Sequence, residues 1–471
     1  MDLSSLNIGT VHLGLLWPLL IQLGTALMVL LAVLLVAQIL RSRRVPAATL
    51  GWVLTIIFVP FIGIPLYLLI GERKLQSKIR RITRIEMPNP SCSYDHELHY
   101  LLVSLGIPSS STGNDVHFHR DAEAAHQDLW ARLEQAAVSI DIEVFILRPD
   151  DLGTRIIELL ERKAREGVTV RLLVDDVGSF ELTRRRLRGL TRAGGQVARF
   201  MPVIASPLRS RHNLRDHRKI VIVDKQWVWS GGRNLADEYL KPETETGWID
   251  LSFSQSGGAV SVYQSVFESD WHFACETDAL IRVPVPPSSD DDQGRVQVLP
   301  SGPDVADDPI HAALLSACYN ARERIRIVTP YFIPDDGLQQ ALKLAALRGV
   351  RVELLLPERC DHRIADIARD RYLRELHDAG VRIWLLPELM VHAKLMIFDE
   401  DVALCGSANL DIRSLFLNFE VMSVFYSPDE LRWLTEWFER WRIECHPHHP
   451  RGAGILREIL EGLVLLLAYQ L

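Results

Sequence analysis

The chain has 471 residues, enough for two domains of ordinary size. Its 52 Lys and Arg are outnumbered by 60 Asp and Glu, giving a formal net charge of −8, which argues against a globally basic nucleic-acid binder. Cys92, Cys275, Cys318, Cys360, Cys405 and Cys445 form no close pairs and no metal-ligand spacing, as expected in a reducing compartment.

Residues 13–40 carry no charge and are rich in Leu, Val and Ala, a length sufficient to cross a bilayer. A second uncharged stretch, 45–71, contains Pro46, Pro60, Gly63 and Pro65, and reads either as another span or as a kinked or re-entrant element. Residues 1–11 lack Lys and Arg, and the apolar core is too long for a cleaved signal peptide, so 1–72 is expected to anchor the chain in a membrane. Arg41, Arg43 and Arg44 follow the first stretch; Arg73, Lys74, Lys78, Arg80, Arg81 and Arg84 follow the second and open a basic linker, 73–114. The positive-inside rule wants both clusters in the cytoplasm, which two full spans cannot provide and a re-entrant second segment can. The remainder of the chain is therefore expected on the cytoplasmic side.

From there the chain repeats itself. Ser139–Glu143 parallels Arg324–Val328, Ala164–Leu173 parallels Ala346–Leu355, and Ala193–Val197 parallels Ala379–Val381. Each half alternates helices and strands, which implies an α/β fold with a mixed sheet in each half. The expected halves are 115–290 and 291–450, related by a pseudo-twofold axis, with the Pro- and Asp-rich seam Val283–Arg295 between them and an apolar segment, 451–471, after them.

The repeat is sharpest at His217-Arg218-Lys219, Asp224 and Gly231-Gly232-Arg233-Asn234, matched by His392-Ala393-Lys394, Asp399 and Gly406-Ser407-Ala408-Asn409. From each His, the Lys lies at +2, the Asp at +7, the first Gly at +14 and the Asn at +17. Lys219–Asp224 and Lys394–Asp399 read as short buried strands, so His and Lys at i and i+2 share a face. Lys supplies positive charge for a phosphate, Gly permits close backbone approach, and Asn adds an amide donor. Each Asp closes its strand and fits a role in fixing the following loop. Two half-sites with one His each point to phosphoryl chemistry divided between a nucleophile and an acid/base.

Each His needs an acid to hold its tautomer. Glu420 lies at +28 from His392; in the other half Glu245 lies at +28 from His217, but Asp250, leading into the strand Leu251-Ser252-Phe253, is the better candidate. Arg209, Arg211, Arg215 and Arg218 crowd the approach to His217 and read as a clamp for an anionic headgroup, or as an exposed basic loop. Trp433, Trp437 and Trp441 recur at helical spacing and are expected to pack in the core. Cys445-His446-Pro447-His448-His449-Pro450 reads as a Pro-broken turn rather than a metal site.

The duplicated motif resembles the signature of the phospholipase D superfamily: His-x-Lys, then Asp, then a Gly-rich turn with Asn. One position departs, Gly232 standing where the second copy has Ser407. Within the superfamily the chain resembles the bacterial cardiolipin synthases, through its two N-terminal apolar segments, Leu299–Asp304, Thr329–Asp335, and Asp411-Ile412-Arg413-Ser414 followed by Asn418-Phe419-Glu420. The resemblance implies an enzyme of the inner membrane that moves a phosphatidyl group from one phosphatidylglycerol to another and releases glycerol. It counts His217, Lys219, Asp224, His392, Lys394 and Asp399 as catalytic. Gly231, Gly232, Asn234, Gly406, Ser407, Asn409 and Arg215 would bind substrate, and Asp250 and Glu420 would orient the imidazoles. The expected partners are phosphatidylglycerol and other anionic phospholipids, with no nucleic acid and no cofactor.

Three alternatives remain open at this stage. Water as acceptor would make the enzyme a hydrolase yielding phosphatidic acid. A nuclease of the same superfamily would require a basic groove and no obligate anchor. A membrane scaffold would have no use for two complete half-sites. Because Lys219 and Lys394 can neutralise a phosphate without a metal, protein treated with chelator and dialysed is expected to keep its activity when lipid presentation is held constant. Recovery of activity only on adding a divalent ion would overturn this reading.

Overall fold

The computed structural model describes residues 8–41, 46–70, 83–86, 96–202, 213–242, 247–283, 293–305 and 307–465. The chain forms an N-terminal unit, Met1–Glu72, and a body that contains nearly all the rest.

In the N-terminal unit, α1 (Ile8–Arg41) contains a 22-residue apolar stretch, Leu20–Arg41, of mean hydropathy 2.6. At ~1.5 Å per residue this covers roughly the ~30 Å hydrocarbon core of a bilayer. The second apolar segment does not continue in the same way. It forms α2 (Pro46–Phe58) and α3 (Pro60–Ile70), of 13 and 11 residues, each too short to cross. The break follows from Pro60, which has no N–H to continue the helical ladder. Gly63 allows the tight bend: a Cβ there would lie 2.6 Å from the Thr55 carbonyl oxygen. The rings of Trp52 and Tyr67 meet with centroids 5.2 Å apart. In one straight helix they would be about 22 Å apart, so α2 and α3 fold back on each other. Ile56, Ile64 and Tyr67 bury themselves against Leu35 and Ile39 of α1.

The body holds two mixed sheets. The first contains β1 (Asp115–Phe118), β2 (Ser139–Val144), β3 (Thr169–Asp175), β4 (Gln196–Phe200), β5 (Lys219–Val223), β6 (Trp227–Gly231) and β7 (Ser252–Ser256), in the spatial order β1-β7-β6-β5-β2-β3-β4. The second contains β8 (Val296–Ser301), β9 (Arg324–Val328), β10 (Arg351–Pro357), β11 (Arg382–Leu386), β12 (Leu395–Phe398), β13 (Val402–Gly406), β14 (Glu420–Phe425) and β15 (His446–His448), in the order β8-β14-β13-β12-β9-β10-β11-β15. The first seven positions repeat the same permutation. In each sheet three strands run parallel, β2-β3-β4 and β9-β10-β11, and the motif hairpins β5-β6 and β12-β13 add antiparallel pairs.

A continuous core joins the two sheets. It takes Ile220, Ile222 and Phe253 from the first, Leu395, Ile397 and Val421 from the second, and Tyr263, Phe267, Trp437 and Phe438 from helices Ala259–Ala274 and Pro428–Arg442. The outer faces are covered by helices such as Asp151–Arg165 and Asp336–Leu347. The tryptophan stripe packs inward as expected: Trp437 is buried, Trp433 and Trp441 lie against the core, and Trp433 stacks on Phe118. The His-Pro-His stretch is not a turn. It forms β15, an edge strand on β11, where Pro447 is tolerated. Part of the expected linker is also structured: Thr83–Glu86 pairs with Ala279–Arg282, and Leu98, Leu102 and Ile107 are buried in the core of the second half.

Candidate active site

Two symmetry-related bridges between the halves build the site. The His217 N–H donates to the Phe419 carbonyl at 2.9 Å, and the Phe419 N–H to the Arg215 carbonyl at 2.9 Å. Reciprocally, the His392 N–H donates to the Ile249 carbonyl at 2.7 Å, and the Ile249 N–H to the Met390 carbonyl at 2.9 Å. Each bridge sets the approach to one catalytic strand beside the residue that precedes the other half's acid. The side chains follow: His217 Nδ1 lies 2.9 and 3.0 Å from the Glu420 carboxylate oxygens, and His392 Nδ1 lies 2.6 Å from Asp250 Oδ2. Asp250 is thus the acid of its half, while Glu245 lies outside the described residues. The pairing is crossed, each half orienting the other half's imidazole. Offsets counted within one half place each acid with its own His, and nothing in the sequence signals the exchange.

The lysines lie on the same side as their histidines, as the i, i+2 spacing requires. Lys219 Nζ donates to the His217 carbonyl at 2.7 Å, and Lys394 Nζ sits 3.0 Å from His392 Nε2. All four groups are buried. Burial holds both imidazoles down at about 4; the two ammonium groups push the same way and the acids oppose them. Burial also lowers Lys219 to about 7 and Lys394 to about 8, against the pull of Glu420 and Asp250. Burial alone would raise the acids, but His392 and Lys394 keep Asp250 at about 2, and His217 and Lys219 hold Glu420 below its usual range. Lys394 acts on His217 and Lys219 acts on His392, so the two half-sites share one electrostatic environment.

The glycines allow this crowding. A Cβ at Gly231 would lie 2.5 Å from the Leu251 carbonyl oxygen, and one at Gly406 would lie 2.3 Å from that of Val421. Each lets the hairpin press against the strand that carries the acid. The departure between the copies has a cause here. A Cβ at Gly232 would lie 2.1 Å from Asp250 Oδ1, whereas Ser407 keeps its side chain and donates its hydroxyl to Glu420. Asn234 accepts from the Ile146 N–H at 3.2 Å, and Asn409 Oδ1 is buried with no hydrogen-bond partner among the described residues.

Asp224 and Asp399 do not join the histidines. Each ends its strand at a left-handed residue and accepts backbone N–H groups, from Ala137, Val138 and Ser139 in one half and from Arg322, Glu323 and Arg324 in the other. Their role is to fix a loop at the far end of the strand. Arg215 and Arg218, the described members of the expected arginine clamp, are held by groups of the protein itself. Arg215 is buried, 3.4 Å from Asp175 Oδ1 and bonded to the Met201 carbonyl at 3.2 Å. Arg218, one residue after His217, faces away from the site. It pairs with Asp270 and bonds the Glu420 and Ser301 carbonyls at 3.1 and 3.2 Å, tying the halves together. Arg209 and Arg211 lie outside the described residues. The aromatic walls were not legible in the sequence: Phe145 meets the His217 ring at 5.0 Å, and Tyr239 and Trp248 meet His392 at 5.1 and 5.5 Å.

The family described as "Cardiolipin synthase, PLD-like domain" matches residues 129–271 and 314–442, and one described as phospholipase D-nuclease N-terminal matches 30–72. Cardiolipin synthase 2 of Bacillus cereus is 33% identical over 93% of this chain and 89% of its own length. The major cardiolipin synthase of Bacillus subtilis is 32% identical over 86% of this chain and 89% of its own. In fold, the chain is similar to phosphatidylserine synthase of Haemophilus influenzae, with a TM-score of 0.63 at 13% identity, over 80% of this chain and 100% of that one. The chain therefore belongs to the cardiolipin synthases of the phospholipase D superfamily, which are phosphatidyltransferases. Its apolar N-terminal helix makes it a membrane-anchored member.

Lysines that hold a phosphate would have to be cationic, the form present below their pKa. The kcat/KM profile is therefore expected to fall above about pH 7–8, read in vesicles of constant composition. A profile still flat at pH 9 would show that the lysine charges are dispensable.

Proposed function

We propose that this enzyme makes cardiolipin from two molecules of phosphatidylglycerol, with His217 as nucleophile and His392 as acid and base. The observation that carries this reading is the crossed pair of imidazoles, each bonded through Nδ1 to a buried carboxylate. A carboxylate on Nδ1 leaves Nε2 as the reacting nitrogen of each ring. Binding of the anionic phosphodiester draws a proton from solvent onto His392 Nε2; the Nε2 of His217 then attacks phosphorus, the bond to the glycerol headgroup breaks, and His392 gives that proton to the departing oxygen. His392 then takes the proton of the incoming lipid's hydroxyl, whose oxygen attacks phosphorus and frees His217. The resting site holds two carboxylates against two ammonium groups, with both imidazoles neutral. The anionic phosphodiester favours protonation of His392 and keeps Lys219 and Lys394 charged; with the amides of Asn234 and Asn409 they stabilise the phosphorane. The choice of His217 as nucleophile rests on superfamily likeness.

His217→Ala and His392→Ala should each lower turnover of labelled phosphatidylglycerol by at least ~100-fold, because the two act on one phosphorus. Either variant keeping a tenth of the activity would refute a shared site. Phosphatidic acid in place of cardiolipin as the product would make the chain a hydrolase.

In this reading α1 crosses the inner membrane, the α2–α3 hairpin enters it and returns, and the body faces the cytoplasm. The short lengths of α2 and α3 support this, as do the basic clusters on both sides of the hairpin. In a chain with its six native Cys replaced, Asp429→Cys, at a site whose side chain is 83% exposed, should resist an impermeant thiol reagent in intact cells and react after lysis. Reaction in intact cells would place the body outside.

A further inference from the structure

Two exposed apolar features of the body are linked by packing to the active site, one to the surroundings of each histidine. The first is the turn after β3. Asp175 pins it by accepting the Val177 and Gly178 N–H groups at 2.9 and 3.0 Å. Gly178 presses so close that a Cβ would lie 2.8 Å from the Phe145 ring, the ring that packs against His217. Ser179 spans the same contact, donating to the Phe145 carbonyl and accepting the Leu147 N–H, each at 2.9 Å. On this fixed turn Phe180 is 71% exposed and Val177 is 44% exposed. Phe180 is the only exposed phenylalanine among the body's described residues. Leu182 and Leu187 anchor the segment that follows, while Arg184, Arg185, Arg186 and Arg188 point into solvent. Residues 176–192 contain five Arg against Asp176 and Glu181, a local excess of positive charge in a chain of net charge −8.

The second feature is the C-terminal helix, Ile455–Leu465, which is mounted the reverse way to an ordinary surface helix. Its polar side faces the protein: Glu461 is buried, bonded to Arg374 and to Arg457, and Arg457 pairs with Asp370. Its apolar side, Ile455, Leu456, Ile459, Leu460 and Leu463, faces outward. The end of the helix packs into a cluster that reaches the segment before the other histidine. Val464 and Leu465 pack in a cluster with Tyr331, Cys360 and Met390, and Met390 stands two residues before His392 and accepts the Ile249 N–H of the bridge.

We propose that the rim of the active site is a lipid-docking surface, formed by residues 177–188 on the His217 side and by the apolar face of Ile455–Leu465 on the His392 side, and that its partner is an anionic bilayer. An aromatic tip backed by arginines fits an anionic headgroup layer over its acyl boundary, and the outward stripe of the helix fits the same depth. The surface delivers lipid phosphates to both imidazoles without lifting a whole lipid into water. The inference rests on the lipid substrate of the proposed function.

Full-length protein with its native Cys replaced and carrying Phe180→Cys, Leu456→Cys or Asp429→Cys is spin-labelled and reconstituted in phosphatidylglycerol–phosphatidylcholine vesicles. Labels at 180 and 456 should be more accessible to oxygen than to a water-soluble nickel complex, while the label at 429 shows the reverse. Either rim label behaving like that at 429 overturns the proposal, as does dipolar broadening that shows the face covered by a second copy of the chain. In parallel, Phe180→Ser should raise KM severalfold for phosphatidylglycerol in vesicles while leaving kcat, and should leave turnover of a dispersed short-chain analogue unchanged. An equal loss on the dispersed substrate would place Phe180 in the site chemistry and overturn the docking role. The depth measurement needs no turnover, so its outcome is independent of whether the product is cardiolipin.

Discussion

Four backbone hydrogen bonds between the halves determine everything chemical in this molecule. Taken singly they are ordinary amide bonds, each contributing about 1 kcal/mol net. Their weight lies in register. The pairing of Asp216 with Phe419, and of Ile249 with Val391, sets which face of each strand looks into the site. A slip of one residue in either would turn Glu420 or Asp250 to the far side and leave an imidazole without its carboxylate. Arg218 reinforces the first bridge from behind, since it bonds the Glu420 carbonyl while sitting beside His217 in the chain. The shared core of the two sheets keeps the halves at the spacing these bonds need.

The bridges also solve an electrostatic problem. Two carboxylates and two ammonium groups are buried together, and each sign is supplied by both halves. Unpaired, any of them would be costly to bury. Crossed pairing gives each half's charges partners in the other. Behind the site, burial raises Glu143 and Asp216 well above the usual carboxylate range and Asp304 to about 6, in the surroundings of Arg218.

Much of this could be read from the residues alone. The duplicated His-x-Lys motifs located both half-sites and their strands, and the alternation of elements gave mixed sheets, because both signals are local periodicities. Asp250 and Glu420 were found as acids by position. What local pattern cannot carry is which half an acid serves, since that depends on how two domains dock. For the same reason Arg215 and Arg218 looked like a substrate clamp: a sequence shows arginines near a catalytic His but not the buried Asp175 and Asp270 that occupy them. The prolines of residues 45–71 did foretell a break, and Gly63 with the Trp52–Tyr67 contact shows how sharp it is.

The crossed pairing has a consequence for the protein during its synthesis. His217 and the carboxylate that orients it are separated by 203 positions. A nascent chain that has released its first motif from the ribosome, with its apolar N-terminus already able to enter the membrane, still lacks Glu420. A product truncated between Asn234 and Glu420 carries a complete first motif and no oriented imidazole in it. A shared site thus waits for the second half, which also brings the other imidazole.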